Sequence, residues 1–461
     1  MIRGSLSHLL ASIDGAHFTR DAYFQGVSTD TRQVVPGALF VALRGETFDA
    51  HDFLGQLVGN PVAAVVVERL PENFPLPALV VPDTLAALGR IGRFWRSKFD
   101  IPVIGVTGSN GKTTVKEMIA AILAASFGLD ARLATEGNLN NEIGVPLTIT
   151  RLSAEHKAAV VELGMNHPGE IACLAAIAAP TVALVNNAQR EHQEFMHTVE
   201  AVARENGAVL QALPVDGVAV FPGDDDYTAL WRELAAGKRV LTFGLSDDCD
   251  VRATYTGNGF GNTLAVTAAQ GQFSIELAAA GVHNVRNALA ATACALAAGI
   301  GQDAIVRGLQ AFAPVSGRLQ RKQAANGATV LDDSYNANPD SVRAAIDVLA
   351  AYPAPRVLVL GDMGEVGTQG PEFHQEIGAY AQERGIETVL VTGALARHMV
   401  DEGAGTGATH FEQFDDLLAA LDKQLGSKSD ATVLVKGSRF MKMERVVRHL
   451  TATTDTGKDS H

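Results

Sequence analysis

One segment of the chain combines glycines, a lysine and threonines at a spacing that fits phosphate binding. Residues 103–114 read VIGVTGSNGKTT, with an apolar run that ends at Thr107. Glycines let backbone N–H groups converge on an anion, and a following helix adds its positive N-terminal end. Lys112 can then reach the outer phosphates while the Thr113 hydroxyl contributes to holding Mg²⁺. The candidate nucleotide contacts are therefore Gly108, Ser109, Asn110, Gly111, Lys112, Thr113 and Thr114.

This segment is shorter than the usual phosphate-binding loop. The pattern G-x-x-x-x-G-K-[ST] requires glycine at position 106, where this chain has Val106, so that G-x-x-G-K-T-T remains. The alternative is a glycine-rich turn that merely begins a helix. The flanking elements favour the phosphate loop, because an apolar strand precedes it and a helical apolar stripe follows. The stripe consists of Val115, Met118, Ile119, Ile122 and Leu123.

Two further candidates follow predicted parallel strands of the same region. Glu162 lies toward the end of the apolar run 158–164. A carboxylate at the carboxyl end of a parallel strand faces the ligand crevice, where it can hold Mg²⁺. A glutamate between two apolar residues is also costly to bury unpaired. His192 lies in the loop after the next strand, 182–185. It is a candidate ligand, and a surface or core histidine is an equal alternative.

A segment dense in amides lies between these elements. Residues 135–146 read TEGNLNNEIGVP, and Asn138, Asn140 and Asn141 can hydrogen-bond phosphate or carboxylate oxygens without adding charge. Turn formation is the alternative for each of the three.

The last third of the chain supplies cations after strands. Arg318, Lys436 and Arg439 follow or end predicted strands, where an open sheet binds its ligands. They can serve phosphate or carboxylate groups, although each alone could be a solvated surface charge. The segments 332–339 (DDSYNANP) and 361–365 (GDMGE) lie in equivalent places.

Composition narrows the class of protein. The 461 residues include 37 basic and 51 acidic side chains, and the resulting net charge of −14 argues against a nucleic-acid-binding surface. A phosphorylated ligand therefore needs local cations. Three scattered cysteines form neither a CxxC pair nor a disulfide framework. We find no leader pattern and no apolar run of about 18 residues, so we expect a cytoplasmic protein without a membrane span.

Length and patterning predict an α/β fold in three domains. Residues 1–83 contain short apolar runs that are typical of a small N-terminal α/β domain. Residues 84–314 begin with an amphipathic helix and then alternate strands with helices, which predicts a central mononucleotide-binding domain of the P-loop type with a parallel sheet. Residues 315–461 repeat a strand–helix pattern that predicts a C-terminal Rossmann-like domain. The polar tail from Thr451 is predicted to be disordered.

These segments together resemble the Mur ligases, ATP-dependent amide-bond-forming enzymes of peptidoglycan synthesis. The resemblance covers essentially the whole chain. Within the family it is strongest to the member that adds the terminal dipeptide, since the usual D-Y-A-H-T-P and D-N-P-R segments of the third-amino-acid-adding sibling are absent, as is the D-G-A-H-N-P of folylpolyglutamate synthetases. The segments that carry it are 29–32 (TDTR), 36–45 (PGALFVALRG), 137–141 (GNLNN), 333–339 (DSYNANP) and 435–439 (VKGSR).

The resemblance implies a ligase that uses ATP and Mg²⁺ to join D-alanyl-D-alanine to UDP-N-acetylmuramoyl-tripeptide through an acyl phosphate. It implies a part in cell-wall biogenesis, and hence in cell shape and division, for a monomeric protein. Lys112, Glu162, His192, Arg318 and Lys436 would be catalytic, and Thr113, Glu162 and His192 would hold metal. The adenine and ribose would be contacted by His283, Asn284, Asn287 and Asp333. Substrate contacts would be Thr31, Arg32, Arg44, Gly45, His51, Asn138, Asn140, Asn141, Asn336, Asn338, Ser438 and Arg439.

One position departs from the family pattern. Many relatives carry a lysine before a Gly-Glu pair in the helix after the His192 loop, and its carbamate helps to order a second magnesium ion. Asn206 stands at that place and cannot form a carbamate, with Glu205 as a candidate substitute. Two alternatives to the dipeptide ligase remain. One is a related amide ligase, such as the third-amino-acid-adding ligase or a folylpolyglutamate synthetase. The other is a non-catalytic nucleotide-binding switch.

Overall fold

A computed structural model describes residues 1–257, 259–400 and 407–452. Its three larger sheets consist of strands from residues 17–80, 103–277 and 320–436. The predicted three-domain α/β architecture is confirmed, and the domain boundaries at 83/84 and 314/315 stay a prediction. Of the tail predicted to be disordered, Thr451 ends a helix and Ala452 follows it, while 453–461 lie outside the described residues. Among the described helices, none is both long enough and apolar enough to cross a bilayer.

The N-terminal domain contains a five-stranded sheet and a separate antiparallel strand pair. The sheet order is β2-β7-β6-β5-β4, parallel except for β2, and β1 pairs with β3. The elements are β1 (Arg3–Ser5), α1 (Leu6–Leu10), β2 (His17–Phe18), β3 (Tyr23–Gln25), β4 (Val27–Ser28), β5 (Leu39–Val41), a 3₁₀ helix (Ala50–Leu57), β6 (Ala64–Val67) and β7 (Ala78–Val80). Helix α2 (Thr84–Arg96) then leads into the next domain, capped by Asp83, whose carboxylate accepts from two backbone N–H groups.

The central sheet has nine strands in the order β16-β15-β14-β13-β12-β11-β8-β10-β9. Strands β8 to β14 are parallel, and the four central ones, β8, β10, β11 and β12, are fully buried apolar runs, as expected for a sheet covered on both faces. They are β8 (Val103–Thr107), β9 (Arg132–Ala134), β10 (Ala158–Glu162), β11 (Val182–Val185), β12 (Val218–Pro222), β13 (Arg239–Gly244) and β14 (Val251–Gly257). Chain order reverses on either side of β8, which places a ligand crevice at its carboxyl end.

Helices cover both faces of this sheet, and each face has its own apolar core. One core includes α3, α9 and α10, and the other includes α4, α5, α7 and α8. The helices are α3 (Lys112–Phe127), α4 (Gly144–Thr150), α5 (Glu170–Ala178), α6 (Gln193–Met196), α7 (Val199–Gln211), α8 (Thr228–Leu234), α9 (Val282–Ala297) and α10 (Gln302–Ala311), with a 3₁₀ turn at Leu129–Ala131.

An antiparallel extension of the central sheet differs from the predicted strand–helix alternation. Strands β15 (Asn262–Ala268) and β16 (Gly271–Leu277) form a hairpin that pairs with β14. Every second residue of β15 is buried, because one face packs on the core while the other meets solvent.

The C-terminal domain contains a six-stranded sheet in the order β17-β18-β22-β19-β20-β21, parallel except for β17. Its strands are β17 (Gln320–Gln323), β18 (Thr329–Asp333), β19 (Arg356–Leu360), β20 (Thr388–Thr392), β21 (Ala408–Phe411) and β22 (Thr432–Lys436). Its helices are α11 (Pro339–Ala350), α12 (Gly370–Glu383), α13 (Phe414–Leu425) and α14 (Glu444–Thr451), with 3₁₀ turns at Gly367–Gln369, Ala396–Met399 and Arg439–Met441.

Candidate active site between two domains

The loop between β8 and α3 makes the tight turn that its glycines predict. Gly108 and Gly111 have φ of 131° and 80°, a region that favours glycine. A Cβ at Gly111 would lie 2.5 Å from Asn287 Oδ1, so no larger side chain fits there. Helix α3 begins at Lys112, which directs its N-terminal end toward the loop. The geometry is therefore that of a loop with an anion site at a helix N-terminus.

Side-chain amides hold this loop from behind. The Gly108 N–H donates to Asn206 Oδ1 (2.9 Å) and the Asn110 N–H donates to Asn187 Oδ1 (2.9 Å). The Asn110 carbonyl oxygen accepts from Asn186 Nδ2 (2.8 Å) and from Asn187 Nδ2 (2.9 Å). We call Asn186, Asn187 and Asn206 the amide scaffold. These contacts fix the backbone so that its remaining N–H groups can face a ligand.

Two residues expected near the adenine belong to the same network. Asn287 Oδ1 accepts from Asn186 Nδ2 (2.9 Å), and Asn287 Nδ2 donates to Asn284 Oδ1 (3.2 Å). Both asparagines are buried, and Asn284 also donates to the Ala280 carbonyl. In this conformation their amides support the loop, and neither lines the cavity described below.

Lys112 lies across the mouth of the loop. Its Nζ donates to the carbonyl oxygens of Gly108 and Ser109, the latter at 3.1 Å, and lies 3.4 Å from Glu191 Oε2. Glu191 is buried, and no residue in the described ranges forms a hydrogen bond with its second oxygen. The ammonium is thus within reach of the space in front of the loop, with a buried carboxylate as its counter-charge.

Glu162 has the surroundings expected of a metal ligand. Its Oε1 accepts from Asn140 Nδ2 (2.9 Å) and from Thr113 Oγ1 (3.3 Å), while its Oε2 is buried without a hydrogen-bond partner among the described residues. An unsatisfied buried carboxylate oxygen is costly, and a hard cation relieves that cost. Among the described residues no group of three or more His, Cys, Asp or Glu could hold a metal. Thr113 and Glu162 therefore fit a Mg²⁺ ion whose remaining ligands would be supplied by phosphates and water.

The C-terminal domain contributes two cations to the same space. Arg318 Nη2 donates to Thr113 Oγ1 (3.4 Å), and its guanidinium lies 4.1 Å from the centre of the Tyr335 ring. Lys436 is buried, and its Nζ donates to Asp333 Oδ2 (2.6 Å) and to the Asn336 carbonyl (2.9 Å). Positive charge from two domains therefore faces one loop, as an acidic protein requires for anion binding.

Asp333 and His283, expected near the nucleoside, lie beside Lys436. The second oxygen of Asp333 accepts from the Leu319 N–H (3.1 Å), so both carboxylate oxygens have partners. Burial lowers the pKa of His283 to about 4, opposed in part by the charge of Asp333. The imidazole is therefore neutral near pH 7. Neither side chain lines the cavity in this conformation.

His192 contacts a carboxylate of the other domain. Its Nδ1 lies 2.5 Å from Glu365 Oε2 and its Nε2 lies 3.7 Å from Glu191 Oε2. The contact with His192 holds the pKa of the Glu365 carboxyl below its ordinary value. Both His192 and Glu365 have positive φ, 48° and 58°. Such conformations cost energy in non-glycine residues and often occur at functional sites.

Asn206, one member of the amide scaffold, stands where many relatives carry the lysine that forms a carbamate. Asn206 is buried, its Oδ1 accepts from the loop, and its Nδ2 has no partner in the part of the chain that the structure describes. The two oxygens of Glu205 accept from the N–H groups of Gly169 and Ile171 at the start of α5 (both 2.8 Å). In this conformation Glu205 supports the start of α5, and its part as a substitute for the carbamate stays a prediction.

A cavity of about 680 Å³ lies between the central and C-terminal domains. Of the residues expected from sequence it is lined by Ser109, Asn110, Gly111, Lys112, Thr113, Asn140, Asn141, Glu162, His192, Arg318, Asn336, Asn338, Lys436, Ser438 and Arg439. It is not lined by Gly108 or Thr114, nor by Asn138, which is exposed elsewhere. Asn141 also forms a turn, with its Oδ1 accepting from the Gly144 N–H (2.9 Å).

The expected N-terminal contacts lie away from this cavity. Arg32 is exposed and pairs with Asp30, whose pKa it lowers to about 2. Thr31, Arg44 and Gly45 lie in neighbouring surface loops. His51 differs from expectation, because its ring is buried with Nδ1 on Asp49 (2.6 Å) and Nε2 accepting from the Glu68 N–H (2.9 Å). In this conformation His51 supports its loop and offers no free ring nitrogen to a ligand.

Several cavity residues have no role in the sequence-based expectations. Glu191, Tyr335 and Glu365 line the cavity beside the expected residues, and so do Glu170 and Cys173 of α5. Tyr335 and Glu365 fall in segments 332–339 and 361–365, whose place after strands was the available signal. Glu191 adjoins His192, and no sequence pattern of its own indicates that it belongs to the site.

Fold and site together define an α/β enzyme with a phosphate-binding loop at a domain interface, and the comparisons name its class more closely. A family model described as the Mur ligase middle domain matches residues 106–295, and one described as the Mur ligase, glutamate ligase domain, matches residues 317–439. The chain belongs to the Mur ligase family.

Particular relatives are similar over nearly the full length. UDP-N-acetylmuramoyl-tripeptide–D-alanyl-D-alanine ligase of Escherichia coli K12 is 40% identical over 454 residues, 98% of this chain and 99% of its own. A crystal structure of MurF from Acinetobacter baumannii is 34% identical with a TM-score of 0.91, covering 98% of this chain and 99% of that one. MurF ligase from Thermotoga maritima in complex with ADP is 27% identical with a TM-score of 0.82, covering 92% and 97%.

Proposed function

We propose that this chain is an ATP-dependent ligase that joins D-alanyl-D-alanine to UDP-N-acetylmuramoyl-tripeptide, which yields the pentapeptide precursor of peptidoglycan. The observation that carries the proposal is the 40% identity, over 98% of the chain, to the Escherichia coli ligase named for these two substrates. The ADP bound in the Thermotoga maritima relative supports a nucleotide at the loop before Lys112. Cytoplasmic location and the monomeric state stay predictions.

The chemistry proceeds in two transfers. An oxygen of the tripeptide carboxylate bonds to the γ-phosphorus of ATP while the bond from that phosphorus to the β–γ bridging oxygen breaks, which gives an acyl phosphate and ADP. The dipeptide amine then attacks the acyl carbon, phosphate leaves, and the amine loses a proton. A free carboxylate is a poor acyl donor, so the first transfer supplies the leaving group for the second.

The residues of this chain serve these steps through charge and position. Lys112 leaves its loop carbonyls for the β- and γ-phosphates, and Arg318 and Lys436 stabilise the transferring phosphoryl from the opposite domain. Thr113 and Glu162 would hold Mg²⁺, which would neutralise phosphate charge when bound, and His192 is the candidate residue for a second ion. Closure of the two domains over the loop excludes water from the acyl phosphate.

Substrate contacts divide between the ends of the molecule. Thr31, Arg32, Arg44 and Gly45 remain the candidates for the UDP moiety in the N-terminal domain. Asn336, Asn338, Ser438 and Arg439 are the candidates for the dipeptide, because they line the cavity from the C-terminal domain. Arg439 lies 5.6 Å from the Tyr335 ring and 3.3 Å from Glu444, so its guanidinium is held at the cavity edge for a carboxylate.

Phosphate release measured with substrates omitted in turn tests the function. We expect release only when ATP, the UDP-tripeptide and D-alanyl-D-alanine are all present, with a product whose mass equals that of the pentapeptide. Release with a single amino acid in place of the dipeptide would indicate a sibling ligase. Nucleotide binding without turnover under any combination would indicate a non-catalytic switch. Parallel reactions with diaminopimelate- and lysine-containing tripeptides identify the third residue.

Turnover should not depend on dissolved carbon dioxide. Asn206 cannot form a carbamate and holds the loop through the Gly108 N–H instead. We therefore expect the same rate in degassed, bicarbonate-free buffer as in buffer with added bicarbonate, measured by phosphate release. A clear loss of rate on degassing that added bicarbonate restores would contradict this expectation.

A further inference from the structure

One arginine of the central domain joins both helices on the facing side of the C-terminal domain. Arg190 lies in the loop after β11, and its side chain is mostly buried, with 23% of it exposed. Its guanidinium donates to Asp340 Oδ1 from Nη2 (2.6 Å) and Nε (3.1 Å), and to Glu376 from Nη1 (2.7 Å) and Nη2 (3.1 Å). Asp340 lies in the first turn of α11 and Glu376 in α12.

Backbone and ring contacts complete this junction. The Arg190 N–H donates to Asp340 Oδ2 (2.8 Å), and the guanidinium lies 5.2 Å from the centre of the Phe373 ring. Bidentate pairs of this kind are directional as well as strong. A single side chain with this many partners fixes the orientation of one domain against the other more closely than an exposed ion pair could.

Arg190 neutralises part of the negative charge of the two carboxylates that face it. Within the part of the chain that the structure describes, the carboxylates of Asp340 and Glu376 pair with one other cation, Arg343, which lies 3.1 Å from Glu376. The C-terminal face alone would thus carry an excess negative charge at a partly buried place. The hydrogen bond from Arg190 lowers the pKa of the Glu376 carboxyl, which agrees with a carboxylate held in its charged form.

The junction is directly connected to the reacting end of the site. Arg190 precedes Glu191, which contacts Lys112, and His192, which contacts Glu365. The first turn of α11 is also joined to the phosphate loop, because Asn338 Nδ2 donates to Asn110 Oδ1 (2.9 Å). A displacement of Arg190 would therefore move the neighbours of Lys112 and the C-terminal cations together.

We propose that Arg190 is a positioning residue that joins the C-terminal domain to the central domain in the arrangement that forms the cavity, and so places Glu191, His192 and the cations of the C-terminal domain around the transferring phosphoryl. The proposal rests on the ligase activity proposed above. Arg190 touches no nucleotide in this role, so its loss affects the steps after nucleotide binding.

Kinetics of matched variants test this role. For Arg190→Ala we expect kcat to fall at least about tenfold and the KM for D-alanyl-D-alanine to rise, because misplacement of reacting groups is costly. ADP affinity by calorimetry should change by less than about threefold, since the loop keeps its own contacts. Arg190→Lys should recover part of the loss, because an ammonium lacks the planar fork. The control is Arg204→Ala, an exposed arginine paired with Glu200 in the same domain.

A variant on the opposite domain separates positioning from misfolding. Asp340→Ala removes the main partner of Arg190 and should show a kcat defect of the same kind, although Glu376 stays paired with Arg190. The double variant should be no worse than Arg190→Ala, because Asp340 acts through Arg190. Small-angle scattering with ADP should give a larger radius of gyration for Arg190→Ala than for the wild type.

Two results would overturn the proposal: wild-type kcat and KM in Arg190→Ala, or losses that simply multiply in the double variant. If the wild type itself fails to turn over the three substrates, the proposed function fails instead. A poorly folded Arg190→Ala leaves Asp340→Ala to decide between these outcomes.

Discussion

Lys112→Ala should lose turnover by roughly 10³-fold or more while the fold stays intact, because charge on the transferring phosphoryl then lacks its nearest cation. Among the described residues, the hydrogen bonds of the ammonium are made with its own loop and with Glu191. Its removal leaves Glu191 buried without a counter-charge, which adds repulsion toward phosphate. Steady-state phosphate release at saturating substrates measures the loss.

The control for this variant is Lys157→Ala, an exposed lysine that precedes β10 outside the cavity. It should keep the wild-type rate, and both variants should keep the wild-type circular dichroism spectrum. Near-normal turnover in Lys112→Ala, with folding preserved, would remove Lys112 from the mechanism and with it the reading of the loop as a phosphate-binding loop.

Glu162→Gln should reduce turnover by about 10²-fold or more at limiting magnesium, since a metal ligand worth several kcal/mol becomes a neutral amide. The amide keeps an oxygen for Asn140 and Thr113, so the local hydrogen bonds survive. The change falls on the buried Oε2, which has no hydrogen-bond partner within residues 1–257, 259–400 and 407–452. The magnesium concentration for half-maximal rate should therefore rise, and a titration of rate against magnesium measures it.

Glu233→Gln, an exposed glutamate in α8, serves as the matched control and should leave the magnesium titration unchanged. Binding of ADP without magnesium should be equal in the wild type and in Glu162→Gln. An unaltered magnesium titration for Glu162→Gln would show that Oε2 is satisfied by something other than the cation.

Local patterns in the sequence predicted the parts of the site that depend on neighbours along the chain. The glycines at 108 and 111 and the helix that begins at Lys112 follow from spacing alone. Glu162 at the end of β10 follows from the rule for parallel strands. The same rule found Lys436 at the end of β22, although not its burial against Asp333.

Contacts between distant segments could not be predicted in this way. Glu365 reaches His192 across 173 positions, and Arg190 reaches Glu376 across 186, so only the packing of two domains reveals them. The family resemblance implies ligand contacts for Asn284, Asn287 and His51. In the structure their polar atoms form hydrogen bonds within the protein. A side chain that fits both a ligand and a neighbour cannot be assigned before its neighbours are known.

The sequence of the antiparallel extension of the central sheet does contain a strand pattern, but the strand–helix alternation of the surrounding region obscures it. In β15 the apolar Leu264 and Val266 alternate with Thr263 and Thr267, a period of two that is typical of a half-exposed strand. The hairpin is short, so its alternating pattern is a weaker indication of the sheet type than the long series of buried parallel strands around it.

The amide scaffold has a consequence for how the enzyme responds to acidity. Asn186, Asn187 and Asn206 hold the loop backbone with groups that neither gain nor lose a proton over the physiological range. The shape that receives the nucleotide is thus the same in acidic and alkaline medium. Any variation of rate with acidity must then originate in the substrates or in the ionisable residues that surround the loop, because the amides that hold the loop do not titrate.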